Sequence, residues 1–427
     1  MRHTLAATLI FLRALPCLAE ESKNVGAEVW GELSSVLTGA AVWETDAQPI
    51  ADMLGMHAEM EDGRVRRHIV YPEQRWKGRD FQSLGRTPRA IQMTSDIETG
   101  KPRKIRIIFG NRGDDLWDIY KGNKPEDRPD SIADAKTEYR KEIREAVEGI
   151  DADAKALGAT LTEMFGTPSL GRARRDIDTG EKREWWQADG FRVELSHSKG
   201  MMTFLDITPD SDQPGDSVRR RGTSLGEVRS QPNGDVFIDG VPEVHQGDKP
   251  YCSAASLERL FRLLSVNVDQ YELGVAVGSG DSQIGSGWRK LIDIGRKLAL
   301  RHRLAIGEVD AGRGLSRVSK LIDSGTPLMW AQRSSPQLTA LLQELSSKRS
   351  ELGKPSRKRS KVFAEEAKNA LGHNPGTHAC LVVGYNQDTE EVAISNTWQG
   401  KSDLMWIPLE VFETSDWGAK LVYLKDR

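Results

Sequence analysis

Three residues of this 427-residue chain have the side chains needed for acyl chemistry, and they sit in segments that could bring them together. Cys252 lies in QGDKPYCSAASLERLF, His378 in THACLVVGYN, and Asn396 closes EVAISN. A thiolate is a strong nucleophile, and an imidazole carries protons in both directions near neutral pH. A carboxamide oxygen that accepts from one ring nitrogen fixes the tautomer and leaves the other nitrogen to face the sulfur.

Each residue needs an element to hold it. After Cys252 the apolar residues Leu257, Leu260, Phe261 and Leu264 recur at i, i+3, i+4 and i+7, which predicts a helix with a buried face. Pro250 disfavours helix before it, so the helix is expected to begin at or near Cys252. The positive end of the helix dipole would then lower the thiol pKa and enrich the thiolate. The β-branched run ending at Gly384 and the run 391–396 predict two strands joined through residues 386–390. Such a hairpin places the start of the first strand, with His378, beside the end of the second, with Asn396. Trp398, two residues on, is placed to shield that pair from water.

Residues 235–427 resemble the papain-like cysteine peptidases, in particular their stand-alone C39-like branch. The resemblance rests on Gln246 six residues before Cys252, on the cysteine ahead of a long helix, on HACLVVGYN and on the N-T-W element at Asn396. It implies a helix bearing the nucleophile packed on an antiparallel sheet. It also implies the roles: Cys252 as nucleophile, His378 as base and then acid, and Asn396 as orienter. Gln246 and the Cys252 backbone N–H would serve as oxyanion donors. The substrate class implied is a peptide or protein. The segment between Trp330 and Gly376 reads as an insertion, and no phosphate-binding loop of an ATPase is present. Two other functions use the same parts: an acyl transferase or cell-wall amidase, and a peptide-binding module without turnover.

Cys380 falls two residues after His378, on the same face of the strand, where core packing is expected and a disulfide to Cys252 is the alternative. His245 adjoins Gln246 in sequence only, and His373 lies in a GHNPG loop that reads as exposed. The DSQIGSG segment, 281–287, is a candidate border of the cleft. Without a CxxC or an HxxxH, neither a metal nor a cofactor is expected.

The composition is that of an ordinary soluble chain, with 38% hydrophobic and 29% charged residues, a net charge of −3 and three cysteines. A disulfide-stapled scaffold and a nucleic-acid partner are not expected on these grounds, nor is stable membrane insertion, as no apolar run approaches ~18 residues. Arg2 and His3, the apolar run 4–12 and Cys17-Leu18-Ala19 have the layout of an export signal cleaved after Ala19. Residues 1–19 are therefore expected to direct the chain to the periplasm or outside the cell.

Residues 208–234, rich in Pro, Gly, Ser and charge, read as a linker. It would part a peptidase-like α+β domain, 235–427, from a separate α+β domain, 20–207. In that N-terminal half, IRIIF predicts a strand, residues 131–157 a helix ending near Gly158, and FRVEL with MTFLDI a hairpin. Trp185 and Trp186, adjacent in a strand, must point to opposite faces and cannot form one stacking platform. This half carries no chemical motif, and its expected role is to bind a partner or regulate the other half. The basic run 348–361 reads as a solvated helix–turn–helix excursion.

Overall fold

The computed structural model describes residues 40–59, 65–71, 83–122, 137–170, 182–188, 190–210, 226–247, 249–277, 287–310, 315–352, 357–373, 375–398, 404–418 and 420–426. The expected export signal, residues 131–136 of the expected helix and residues 281–286 of DSQIGSG lie outside them. The chain forms two compact units that part near residue 215.

The first unit contains, in chain order, α1 Ala47–Leu54, β1 His57–Glu59, β2 Val65–Val70, β3 Ala90–Asp96, β4 Pro102–Asn111, α2 Arg112–Gly122, α3 Arg140–Phe165, β5 Ser169–Leu170, β6 Lys182–Ala188, β7 Phe191–Ser198 and β8 Met202–Pro209. Its strands form one antiparallel sheet in the order β1-β2-β3-β4-β8-β7-β6-β5. Alternation sorts the side chains. Phe191, Val193 and Leu195 enter the core, whereas Arg192 and Glu194 between them form an ion pair on the other face. Trp186 is buried and donates from Nε1 to the Gly166 carbonyl at 3.0 Å, while Trp185 lies 4.5 Å below the Arg192 guanidinium.

Helix α3 runs seven residues past Gly158 rather than ending near it. Its buried stripe of Ile150, Ala154, Leu157 and Leu161 continues beyond the glycine. Burying Leu161 gains more than the ~1 kcal/mol that a mid-helix glycine costs. Gly110 of β4 lets the helix come close, since a Cβ there would stand 2.8 Å from Ile150 Cγ1.

The second unit contains β9 Glu227–Ser230, β10 Asp235–Asp239, α4 Cys252–Leu263, α5 Gln270–Val277, α6 Trp288–Arg301, β11 Leu304–Val309, α7 Leu315–Asp323, β12 Leu328–Ser334, α8 Pro336–Ser347, α9 Arg349–Leu352, α10 Arg357–Leu371, β13 Gly376–Asn386, β14 Glu391–Ser395, β15 Met405–Pro408, α11 Leu409–Ser415 and β16 Leu421–Asp426. The strands run β11-β16-β12-β13-β10-β9, with β14 on β13 and β15 on β14, and every pairing is antiparallel. Strand β13 organises this sheet: β12 pairs with its first half, β10 with its end and β14 with its second half. The ladder to β14 shifts register between Val382 and Gly384. Gly384 also meets β10 so closely that a Cβ would stand 2.8 Å from the Val236 carbonyl and from Phe237 Cβ.

Two expectations are corrected here. Part of the 208–234 stretch is sheet, because Glu227–Ser230 pair with β10 through a tight turn in which Gly234 has φ +87°. The Pro-Asn-Gly of that turn is hairpin punctuation that composition alone reads as linker. In the basic run, Arg349 is not a solvated charge. Its Nε donates to Glu391 at 2.8 Å and its Nη1 to Asp235 at 2.6 Å, and its guanidinium lies 4.0 Å from the Trp406 ring centre. The excursion α8–α10 is thereby moored to the strands β10, β14 and β15.

Candidate active site

Cys252 is the first residue of α4, and the helix closes its first turn with Ala255 N–H donating to the Tyr251 carbonyl at 2.8 Å. The helix is buried on nearly all sides, every residue from Ser253 to Arg262 being inaccessible or close to it. Cys252 keeps partial exposure, whereas Cys380 is fully buried, and both thiols are free. Burial pushes the Cys252 thiol above its ordinary pKa. The backbone N–H groups of Ala379, Ser253 and Cys252 itself pull the other way without prevailing. This corrects the expected depression: the helix terminus contributes, but desolvation is larger. The Ala379 contact also puts the sulfur against the start of β13, one residue along from His378. Among the described residues no hydrogen bond joins the thiol to His378.

His378 is 5% exposed. Its Nε2 lies 2.8 Å from Asn396 Oδ1, which also accepts from the Thr397 N–H at 2.7 Å. The Thr397 contact assigns that atom as oxygen, since a flipped amide would set its NH2 against the Thr397 N–H. Nε2 is therefore the protonated nitrogen of the neutral ring, and the lone pair sits on Nδ1. Trp398 stacks on the imidazole with ring centres 4.3 Å apart and planes 26° apart. Burial lowers the His378 pKa to about 4, offset only in part by the bond to Asn396. Both partners are accordingly neutral at rest.

Gln246 is buried and held at both ends of its amide. Its Oε1 accepts from the Thr397 hydroxyl at 2.6 Å, its Nε2 donates to the Lys249 carbonyl at 2.8 Å, and its backbone N–H donates to the Thr397 carbonyl at 3.0 Å. One loop, 395–398, thus touches three of the four candidate residues: it carries Asn396, stacks Trp398 on His378 and holds Gln246.

Two further residues of this assembly escape sequence reasoning. Thr397 orients Gln246 across 151 positions of sequence. Arg259, 1% exposed, reaches from α4 to the Pro242, Ser395 and Asn396 carbonyls. The one available signal for Arg259 was a charged residue two helical turns after Cys252, hence on the same face. Cys380 packs in the core with its thiol pushed up to about 12 by burial. His373 is exposed, and His245 is buried with its carbonyl accepting from Gln270 Nε2 at 2.8 Å. Among the described residues no group of three or more His, Cys, Asp or Glu side chains could hold a metal ion, and no helix is long and apolar enough to cross a membrane.

Comparison with curated proteins returned no match. The family model of the Peptidase_C39 like family matches residues 238–420, a stretch that contains Gln246, Cys252, Arg259, His378 and Asn396. The C-terminal half of this chain is therefore a domain of the C39-like peptidase family.

Proposed function

We propose that the C-terminal unit is a cysteine peptidase that hydrolyses peptide bonds with Cys252, His378, Asn396 and Gln246. The observation that carries this reading is the aimed imidazole. With Nε2–H committed to Asn396 at 2.8 Å and Trp398 stacked on the ring, Nδ1 is left as a base on the strand the thiol touches. Catalytic hydrogen bonds are often open before substrate arrives and close around it.

The steps follow from two neutral partners. As Cys252 Sγ bonds to the acyl carbon, its proton passes to His378 Nδ1 and the carbonyl π pair moves onto oxygen. The Cys252 N–H at the helix start and the second N–H of the Gln246 amide donate to that oxyanion. The tetrahedral adduct collapses, the C–N bond breaks and the amine takes the imidazolium proton. His378 then removes a proton from water, the hydroxide adds to the thioester, and the C–S bond breaks as the proton returns to sulfur. Asn396 stabilises the imidazolium through the same oxygen that orients it. Residues 1–19 would deliver this activity to the periplasm or the exterior, with the N-terminal unit binding a partner or regulating access.

Iodoacetamide labelling followed by peptide mapping tests the reading, together with hydrolysis of fluorescein-labelled casein. The expected result is labelling of Cys252 far faster than Cys380, and hydrolysis abolished by Cys252→Ala. Hydrolysis of cell-wall fragments alone, or transfer to an added amine instead of water, would redirect the reading to an amidase or transferase. Slow, equal labelling without turnover would replace it with a non-catalytic peptide-binding module.

A further inference from the structure

We propose that Arg259 is a positioning residue that sets the aim of His378 through Asn396; the proposal rests on the peptidase reading above. Arg259 lies seven residues after Cys252 on α4, two turns along the same face. Its guanidinium donates from Nε to the Pro242 carbonyl at 2.7 Å and from Nη1 to the Ser395 and Asn396 carbonyls at 3.1 and 3.0 Å. Nη2 donates to Ser395 Oγ at 2.6 Å. These acceptors belong to two segments, the exit of β14 that bears Asn396 and the stretch between β10 and α4 that leads to Gln246. One planar cation therefore ties the helix that starts at the nucleophile to the loop that aims the base.

A second observation gives this tie its consequence. Among the described residues the Asn396 Nδ2 is buried without a hydrogen-bond partner. Its own donors therefore take no described part in anchoring the amide. Its direction comes from the two donors on Oδ1 and from its backbone, and Arg259 grips that backbone at the Asn396 carbonyl. Arginine suits the task because its fork reaches several carbonyls in fixed directions, which a lysine ammonium cannot do.

The test is a double-mutant cycle on the full chain, Arg259→Met against Asn396→Ala. Its readouts are the rate of Cys252 alkylation by iodoacetamide and casein hydrolysis, each per folded molecule. Arg259→Met is expected to slow both about 100-fold, the loss typical of a reacting group misplaced by ~1 Å. In the Asn396→Ala background the same change is expected to cost less than about threefold, because the route through Asn396 is already gone. Ser395→Ala removes the Nη2 bond to Ser395 Oγ, keeps the cation buried and serves if Arg259→Met fails to fold; about a fivefold slowing is expected, again only when Asn396 is present.

Multiplicative losses in the double mutant would overturn the proposal, as would full activity in Arg259→Lys, since charge rather than geometry would then suffice. Wild-type protein that alkylates rapidly at Cys252 but cleaves no peptide would defeat the peptidase reading alone, and the alkylation cycle would still decide the role of Arg259.

Discussion

Arg106 and Arg259 are almost equally hidden, 5% and 1% exposed, yet they are held in different ways. Arg106 stands directly across the sheet from Asp206 and grips it with two bonds, Nε to Oδ1 at 2.6 Å and Nη2 to Oδ2 at 2.7 Å. The Phe204 ring lies 4.5 Å from its guanidinium carbon. That arrangement joins two neighbouring strands, 100 positions apart in sequence, and pairs a buried charge with a partly buried one. Arg259 instead hydrogen-bonds carbonyls and a hydroxyl that lie 17, 136 and 137 positions away in sequence. A charge pair of the first kind holds a sheet together. A fork of the second kind sets the distance between two segments, which is what a site assembled from separate elements requires.

The largest expected effect sets stability against activity. Arg106→Met removes both bonds from a buried guanidinium to the partly buried Asp206 carboxylate and should lower unfolding free energy by about 3–5 kcal/mol in urea titrations. Alkylation of Cys252 per folded molecule should be unchanged, and a loss of reactivity would break the contrast with Arg259. Gln246→Ala should show the converse, with hydrolysis down about 100–1000-fold and a smaller stability loss of about 1–3 kcal/mol from the lost bonds to Thr397 and Lys249. An intact rate would show that the amide braced by Thr397 takes no part in the chemistry.

A smaller effect is expected at the strand that carries His378. Gly384→Ala must push a methyl group against the Val236 carbonyl and Phe237, at a cost of about 1–3 kcal/mol. If thermal unfolding shows no change, the close approach of β10 to β13 is wrong.

The smallest effect concerns pH. The folded pKa of His378, about 4, lies below its ordinary value of 6.5, so neutral packing of the ring adds stability that is complete above 6.5 and is lost as pH falls toward 4. The alkylation rate of Cys252 per folded molecule should be nearly flat from about pH 5 to 7 and decline below about 4, because a neutral imidazole takes the proton. A thiol ionising alone would instead gain about tenfold per pH unit.

What could be read from the sequence was whatever repeats at short range. The stripe Leu257, Leu260, Phe261, Leu264 disclosed the helix behind Cys252, and the β-branched runs around Gly384 and Ile394 disclosed the hairpin that brings His378 to Asn396. Contacts that depend on tertiary approach were not legible, and Arg259, Thr397 and Arg349 each act across tens to more than a hundred residues. The charge state of Cys252 was misjudged for a related reason. A helix start is a local property, whereas desolvation depends on everything packed around the sulfur. The strand Glu227–Ser230 was hidden by composition, since its polar residues resemble a linker until the Asn-Gly turn is given its weight.

Aim and acidity of the imidazole are governed in different proportions. The braced loop decides which way the ring points and, through the Asn396 bond, raises its pKa in part, while the dryness of its surroundings has the larger say in the acidity at which it titrates. Substitutions in the packing around His378 could therefore shift the working acidity of this domain over generations while the ring kept its aim, a freedom that a histidine oriented by a carboxylate would lack.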